Sequence, residues 1–326
     1  MNPLVSRRHF LASSAAIGTA AVAFPSTRAL ADPAGRQAGI PVVDTHQHLW
    51  DLSKLRLPWL NDPKAAHLRR SFVTKDYDEA TAGINVVKTV YMEVNVSPDQ
   101  QELEADYVIK LCQSPTGRMR GAVIGGSVQS PHFSTYIKKF ATNPYVKGVR
   151  IVLNDPDRPR GLCLEKTFVK NIQLLGELGL SFDFCIRPGE LMDAVRLMDQ
   201  SPRTRFIIDH CGNRDVQATD DKSRRVWEEG MKACAAHDNV MCKISGIVAT
   251  APPKTWQPSD LEPAINFCLE TFGPDRVFFG GDWPVCTKTA TFKQWFEALT
   301  WILRDRSVEF RKKLLHDNAV KFYRLT

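Results

Sequence analysis

The chain has 326 residues, of which 43% are hydrophobic, so it is long enough and apolar enough to bury a large core. Lysine and arginine total 43 against 36 acidic residues, which gives a net charge of +7. The basic residues form no run interleaved with aromatic side chains. The composition therefore argues against a nucleic-acid-binding protein, and the expected partner is a small-molecule substrate.

The first 31 residues have the features of an export signal. Arg7 and Arg8, in SRRHFLA, precede the apolar stretch SSAAIGTAAVAF and the small-residue pattern that ends at Ala31. This order predicts twin-arginine export with cleavage after Ala31, hence contact with the translocation machinery and a periplasmic or exported mature protein, 32–326. The apolar stretch is shorter than the roughly 20 residues of a membrane span, which disfavours an anchor, and we expect no membrane association after cleavage.

Removal of residues 1–31 also changes the charge, because it removes three arginines and no acid. The mature chain keeps 40 basic and 36 acidic residues, a net charge of +4. The eight cysteines contain no Cys-x-x-Cys pair, and Cys185, Cys211 and Cys242 lie in or beside apolar runs. We predict free, buried thiols, since the twin-arginine route carries folded cargo and cysteine behaves there as a small hydrophobic residue.

Eight short apolar runs, rich in β-branched residues, alternate with longer amphipathic stretches. The strand candidates are 41–46, 86–93, 120–126, 146–153, 180–186, 205–211, 239–245 and 276–282. Eight strand–helix repeats predict an α/β fold, a single (β/α)8 TIM barrel. Residues 50–80 are predicted to form a long loop over the barrel mouth after the first strand, and DNAVKFYRL near the end to form a helix packed on the outside. The sequence gives no indication of the oligomeric state.

The candidate functional residues stand where these strands end. His46 and His48, in PVVDTHQHLW, are two apart and share one face of an extended chain. The other charged or polar residues at strand ends are Glu93, Arg150, Asp209, His210, Lys243, Ser245 and Asp282. Since active sites of such barrels lie at the carboxyl ends of the strands, these side chains are expected to meet at one rim.

Several of these residues also have structural interpretations. Asp209 alternates away from His210, so we expect it outside the cavity in a hydrogen bond or salt bridge. Lys243 is expected either to pair with an acid in the barrel wall or to serve function, and Arg150 either to pair with Glu93 or to bind substrate. The remaining histidines of the mature chain, in loops or helices, are expected to be solvated; these are His67, His132, His237 and His316.

Three motifs give the chain a specific resemblance. DTHQHLWD, DHCGN and GGDWP, at the ends of strands one, six and eight, resemble the amidohydrolase superfamily, and within it the sugar-acid lactonases and pyrone-dicarboxylate lactone hydrolases. PWL in the first loop, GVR on strand four and KISG on strand seven extend the resemblance along the mature chain. The resemblance implies a (β/α)8 hydrolase that uses His46, His48, His210 and Asp282.

The chain departs from the superfamily pattern in its metal ligands. Many members use a further His or a modified Lys on strands four or five, whereas strand five here reads LSFDFCI and strand four carries Arg150. Arginine does not ligate metals, so a two-metal centre is not expected. His46, His48, His210 and Asp282 are left either to bind a single Zn²⁺ or to act without metal.

These residues suggest lactone hydrolysis as a working hypothesis. His46, His48 and His210 would polarise the carbonyl, directly or through a metal, and Asp282 would deprotonate water. The predicted substrate-binding residues are Arg150, Glu93, Ser245, Lys243 and Trp283. The alternatives are a metal-dependent non-oxidative decarboxylase of the same superfamily, a non-catalytic periplasmic small-molecule binder, and a barrel with a degenerate site.

Overall fold

The computed structural model describes residues 39–326, and these fold around a barrel of eight parallel strands. The strands are β1 (Val42–Gln47), β2 (Val86–Met92), β3 (Met119–Gly125), β4 (Val146–Val152), β5 (Ser181–Cys185), β6 (Arg205–Ile208), β7 (Val240–Ile244) and β8 (Val277–Phe279). They are ordered as in the chain, and each pairs in parallel with the next. The proposed export signal lies outside the described residues and remains a prediction.

A helix lies in every connection between consecutive strands. The helices are Thr74–Ala80, Gln101–Cys112, Phe133–Phe140, Lys166–Glu177, Leu191–Gln200, Asp221–Ala235 and Pro258–Phe272, and Phe292–Ile302, Val308–Lys312 and Asn318–Tyr323 follow the last strand. This alternation confirms the predicted (β/α)8 architecture. Within residues 39–326, none of these helices has the length and apolar character required to cross a membrane.

The ring of strands closes between the first strand and the segment after the last. The amide of Asp282 donates to the carbonyl of His46 at 2.8 Å, and the amide of His48 donates to the carbonyl of Trp283 at 2.8 Å. Nearer the amino end of β1, the Thr45 hydroxyl donates to the Phe279 carbonyl at 2.6 Å. The closing hydrogen bonds therefore hold Asp282 beside His46 and His48.

The C-terminal helix covers the amino-terminal opening of the barrel, so the prediction that it packs on the outside was wrong. Ala319 and Tyr323 join an apolar cluster with inward-facing residues of the strands, such as Val43 and Phe278. The Arg205 side chain, at the start of β6, donates to the carbonyl of Phe322 at 2.6 Å. The inward-facing side chains at this end are apolar, and burying them requires a cover.

The long connection after β1 lies over the opposite, carboxyl end, as predicted, but the loop is shorter than 50–80 because Thr74–Ala80 form a helix. It contains two short 3-10 segments, Pro58–Asn61 and Pro63–Leu68, and a bridge between Trp50 and Phe72. The indole of Trp59 donates to the carbonyl of Val94 at 2.8 Å, which ties this loop to the end of β2. All eight cysteines are free and buried, in agreement with the prediction.

Candidate active site

His48 lies at the end of β1 with one nitrogen directed at a carboxylate. Its Nδ1 is 3.0 Å from the carbonyl oxygen of Met92, and because a carbonyl only accepts, Nδ1 carries the proton. In neutral His48 the lone pair on Nε2 therefore points toward Oδ1 of Asp282, 3.3 Å away. Two electron-rich atoms this close need a proton or a cation between them. His48 and Asp282 both line the cavity above the barrel.

His46 lies next to His48, with 4.9 Å between the ring centroids, but it is fully buried beneath the cavity. Arg150 Nη1 is 3.2 Å from Nε2 of His46. Because guanidinium only donates, Nε2 accepts and Nδ1 carries the proton, facing Oδ1 of Asp209 at 3.6 Å. Burial lowers the pKa of His46 well below 6.5 despite the opposing charge of Asp209. His46 is therefore neutral at pH 7.

The end of β6 departs from strand geometry, and Asp209 lies outside the cavity in a salt bridge with Lys243, as predicted. Residues 210–213 all have positive φ, between 51° and 67°, which forms one left-handed turn. The turn breaks the alternation of side chains, so Asp209 and His210 both point into the barrel. Oδ1 of Asp209 accepts a charged contact from Lys243 Nζ at 2.9 Å. Burial opposes ionisation of Asp209, but Lys243 and His46 outweigh it and hold its pKa well below 3.8.

The ring of His210 packs against the backbone at Gly246, just after the end of β7. Its Nδ1 is 2.9 Å from the hydroxyl of Ser245, and its ring centroid is 4.4 Å from that of His46. Gly246 has φ +62°, and a Cβ at that residue would lie 2.2 Å from His210 Nδ1. Only glycine leaves room for the ring. Burial lowers the pKa of His210, which lines the cavity as a neutral imidazole at pH 7.

Arg150 forms part of the cavity floor, and most of its guanidinium nitrogens are hydrogen-bonded to other residues of the protein. Nε donates to Oε1 of Glu93 at 2.7 Å, and Nη2 donates to the carbonyl of Glu93 at 2.8 Å. Of the two interpretations of Arg150, the pair with Glu93 is therefore formed. Arg150 remains at the cavity surface as a fixed positive charge beside His46.

Lys243 is buried below the cavity in an ion-paired group. Its Nζ is 2.8 Å from Oδ2 of Asp183 and 2.9 Å from Oδ1 of Asp209. Burial raises the pKa of Asp183 to about 7, although Lys243 opposes this shift. Of the two interpretations of Lys243, the structure corresponds to pairing in the barrel wall.

The sequence-predicted residues thus divide into two groups. His48, His210, Asp282 and Arg150 line the cavity, whereas His46, Glu93, Ser245, Lys243 and Trp283 lie behind its wall. Trp283 packs against Phe72 and Tyr77, with ring centroids 5.4 and 5.5 Å away. The other four histidines of residues 39–326 lie elsewhere, on or near the surface: His67, His132, His237 and His316.

Sequence reasoning missed several polar residues of this cavity, whose volume is about 940 Å³. They are Asn95, Gln129, Asn154, Asp155, Asp157, Arg158 and Asn213. Most follow the ends of β2, β3, β4 and β6. The available signal was the polar run NDPDR directly after β4, and Asn213 at the end of DHCGN.

The donor atoms at the cavity floor fit one divalent cation. Nitrogens of His46 and His48 and an oxygen of Asp282 lie within 4.8 Å of one another, and two imidazoles with a carboxylate are a typical ligand set. Nε2 of His46 would bind the cation in place of its contact with Arg150. A second group, His46, Asp209 and His210, is equally compact, but Asp209 already carries the ammonium of Lys243. The chemistry of the residues therefore suits one cation rather than two.

The model of the Amidohydrolase family matches residues 43–325. The chain belongs to this family. It is 27% identical to L-fucono-1,5-lactonase from Burkholderia ambifaria over 292 residues, which cover 87% of this chain and 95% of that protein. This places the amidohydrolase among relatives of the predicted lactonase branch.

Solved structures confirm the fold of this amidohydrolase. An amidohydrolase from Burkholderia multivorans with bound zinc aligns with a TM-score of 0.78 at 22% identity, covering 88% of this chain and all of that one. A putative 2-pyrone-4,6-dicarboxylic acid hydrolase from Pseudomonas putida aligns at 0.67 and 18% identity, covering 87% and 97%. The 5-carboxyvanillate decarboxylase from Sphingomonas paucimobilis also aligns, at 0.60 and 14% identity, covering 88% and 100%. Fold alone therefore does not separate hydrolysis from decarboxylation.

Proposed function

We propose that this amidohydrolase opens the ring of a sugar-acid lactone by attack of water. The observation that carries the proposal is the convergence of one carboxylate, two imidazoles and one guanidinium on the floor of a single cavity: Asp282, His48, His210 and Arg150. The similarity to an L-fucono-1,5-lactonase over most of both chains supports the same reaction class.

Asp282 is the proposed general base. Its Oδ1 is held 3.3 Å from His48 and 3.6 Å from His46, at the cavity floor, where a water molecule can approach it. Asp282 would take one proton as the water oxygen bonds to the lactone carbonyl carbon. When the ring C–O bond breaks, the same carboxyl would return the proton to the leaving alkoxide, giving the open hydroxy acid.

The developing negative charge on the carbonyl oxygen would be stabilised by groups that are already fixed in place. Arg150 is held by Glu93 and His46, and the ring of His210 is held by Ser245 and the backbone at Gly246. Preorganised positive and dipolar groups are the main source of such stabilisation, because they need no reorientation during the reaction. Asp209, behind His46, acts as a positioning residue.

We propose Zn²⁺ as the cation that His46, His48 and Asp282 would hold, since imidazole-rich sets with one carboxylate are typical of zinc. When bound there, it would supply Lewis-acid polarisation of the substrate carbonyl.

The charges around the cavity favour a neutral, hydroxyl-rich lactone over a dicarboxylated pyrone. Three cations line the described cavity: Arg150, Arg158 and Lys288. Arg150 is committed to Glu93 and His46. The others share the wall with acids, namely Asp62, Asp155 and Asp157. A substrate with two carboxylates would meet as much negative as positive charge, whereas hydroxyl groups pair with both.

A lactone panel tests this proposal. Purified, metal-analysed protein is incubated with L-fucono-1,5-lactone, an L-rhamnono-γ-lactone, 2-pyrone-4,6-dicarboxylate and aromatic carboxylic acids, with and without chelator, at constant pH. Base consumption with a neutral sugar lactone supports the proposal. Proton uptake with CO₂ release would instead identify a decarboxylase, and tight binding of an unchanged ligand would identify a binding protein.

A further inference from the structure

The segment 154–158, which follows β4, forms one polar wall of the cavity, and an arginine from the next loop holds its second half. We infer that this segment is a subsite for the substrate hydroxyls remote from the reacting carbonyl. We further infer that Arg187 is the positioning residue that fixes it. The inference rests on the proposed lactonase function and adds a specificity element to it.

Arg187 clamps the segment 154–158, because its guanidinium donates to two backbone carbonyls of the segment. Its Nη2 donates to the carbonyl oxygen of Asp155 at 2.5 Å and to that of Arg158 at 2.9 Å. Its Nη1 lies 3.2 Å from both carboxylate oxygens of Glu190, whose side chain is only 6% exposed. A buried carboxylate and a planar guanidinium thus fix the position of two carbonyls three residues apart. The guanidinium of arginine is planar and rigid, so little conformational entropy is lost for each hydrogen bond that it forms.

The clamped segment presents both hydrogen-bond donors and acceptors to the cavity. Asn154, Asp155, Asp157 and Arg158 all line it, and the indole of Trp59 lines the cavity as well. A sugar hydroxyl donates and accepts at once, so neighbouring acids, an amide and a guanidinium can satisfy it completely. An aromatic face with a few polar groups is a usual composition for a small-molecule pocket.

Apart from Arg187, the segment is tied to β5 at its first residue, where the Asn154 amide donates to the Cys185 carbonyl at 2.9 Å and Cys185 Sγ lies 3.4 Å from Asn154 Oδ1. It lies outside the strands and helices, and its internal hydrogen bonds are two short turns: Asp157 N to Asp155 Oδ1 at 3.0 Å and Arg158 N to Asp155 O at 3.0 Å. Without Arg187, the Arg158 carbonyl loses its partner and the Asp155 carbonyl keeps only the amide of Arg158, so the polar side chains of 155–158 lose a defined position. The reaction centre is anchored separately, through Glu93, Ser245 and the barrel-closing hydrogen bonds.

The test is Arg187→Ala, assayed with L-fucono-1,5-lactone and with δ-valerolactone, a lactone that has no hydroxyl groups. We expect KM for the sugar lactone to rise about tenfold with kcat within about twofold, because binding energy common to ground and transition states is lost. Kinetics with δ-valerolactone should remain unchanged. Arg187→Lys, which keeps the charge but not the fork, should lie between the two.

The matched control is Arg203→Ala, since Arg203 pairs with Glu177 in an exposed salt bridge outside the cavity. Equal losses on both lactones, or no change for the sugar lactone, would overturn the inference. If the wild type hydrolyses no lactone, the proposed function fails. Calorimetric titration with L-fuconate then decides the subsite separately: Arg187→Ala should weaken Kd about tenfold, and an unchanged Kd would overturn the subsite.

Discussion

His46 is held between two opposite charges, and this fixes which of its nitrogens carries the proton. Arg150 lies 3.2 Å from Nε2, and Asp209, itself paired with Lys243, lies 3.6 Å from Nδ1. Burying charges costs free energy unless they are paired, so these groups are kept for what they position. At the scale of a residue, the site depends on fully buried side chains that substrate does not touch.

Glu104 is another fully buried acidic side chain near Arg150. It accepts hydrogen bonds from the Tyr91 hydroxyl at 2.9 Å and the Val94 amide at 2.7 Å. Burial, reinforced by the negative charge of Glu93, raises the pKa of Glu104 from 4.5 to about 8. Between these pH values the folded protein keeps a proton that the unfolded chain releases, so stability falls as pH rises.

Glu104→Gln should remove this pH dependence. The free energy of unfolding of the wild type should fall between pH 5 and pH 8, by at most roughly 1.4 kcal/mol per pH unit from this group, and that of the variant should fall less. Urea denaturation at pH 5, 6.5 and 8 measures both. Glu102→Gln is the control, since Glu102 lies on the same helix with its side chain 54% exposed. Parallel curves for wild type and Glu104→Gln would refute the assignment.

At the scale of the element, the site is built where strands end in left-handed backbone. Residues 210–213 after β6, Gly246 after β7 and Asp282 after β8 all have positive φ. For residues other than glycine this conformation costs about 1 kcal/mol each. The strained turns point His210 and Asp282 at the cavity, which a regular strand would not do.

Gly246→Ala should displace His210, because the added Cβ would lie 2.2 Å from its Nδ1. We expect kcat/KM to fall at least about tenfold, since the imidazole moves by more than catalysis tolerates. Gly179→Ala is the matched control: its φ is +72° and no atom lies within 4 Å of the new Cβ, so it adds backbone strain alone. Equal activity of the two variants, measured with the same lactone, would show that His210 does not need this position.

The sequence predicted the elements well and the side-chain directions at their ends less well. Eight apolar runs suffice to place eight strands, because periodicity and length are local properties. Alternation also placed His46 and His48 on one side. The salt bridge expected for Asp209 outside the cavity is present, but the backbone at the end of β6 does not alternate as a strand does. The left-handed turn at His210 depends on packing against Ser245 and Gly246, which are distant in sequence. Such a turn has no local periodic signal.

At the scale of the whole molecule, the barrel is sealed at one end and open at the other. The C-terminal helix and Leu325 cover the apolar amino-terminal end, where Tyr323 contacts Phe278 with 5.6 Å between ring centroids. The long loop after β1 lies over the other end, and the cavity opens there. The sequence placed the loop but not the cover, because a terminal amphipathic helix has the same pattern on either surface.

Tyr323→Ala should destabilise the whole barrel rather than its end alone. Removing a buried aromatic ring leaves a cavity and costs about 3–5 kcal/mol. Thermal unfolding followed by circular dichroism should show one transition at a clearly lower Tm. Val308→Ala, at a side chain on a nearby helix and 54% exposed, should leave Tm nearly unchanged. A wild-type Tm for Tyr323→Ala would mean that the C-terminal cover does not contribute to folding.

The proposed hydrolysis requires four strand ends to bring one carboxylate base against a polarised lactone carbonyl. The most direct measurement compares base consumption by wild type and Asp282→Asn with L-fucono-1,5-lactone at pH 7, with circular dichroism to verify folding. The amide retains the size of Asp282 but cannot accept a proton from water, so we expect kcat to fall about a thousandfold in a folded protein. A kcat within about threefold of the wild type would contradict this proposal.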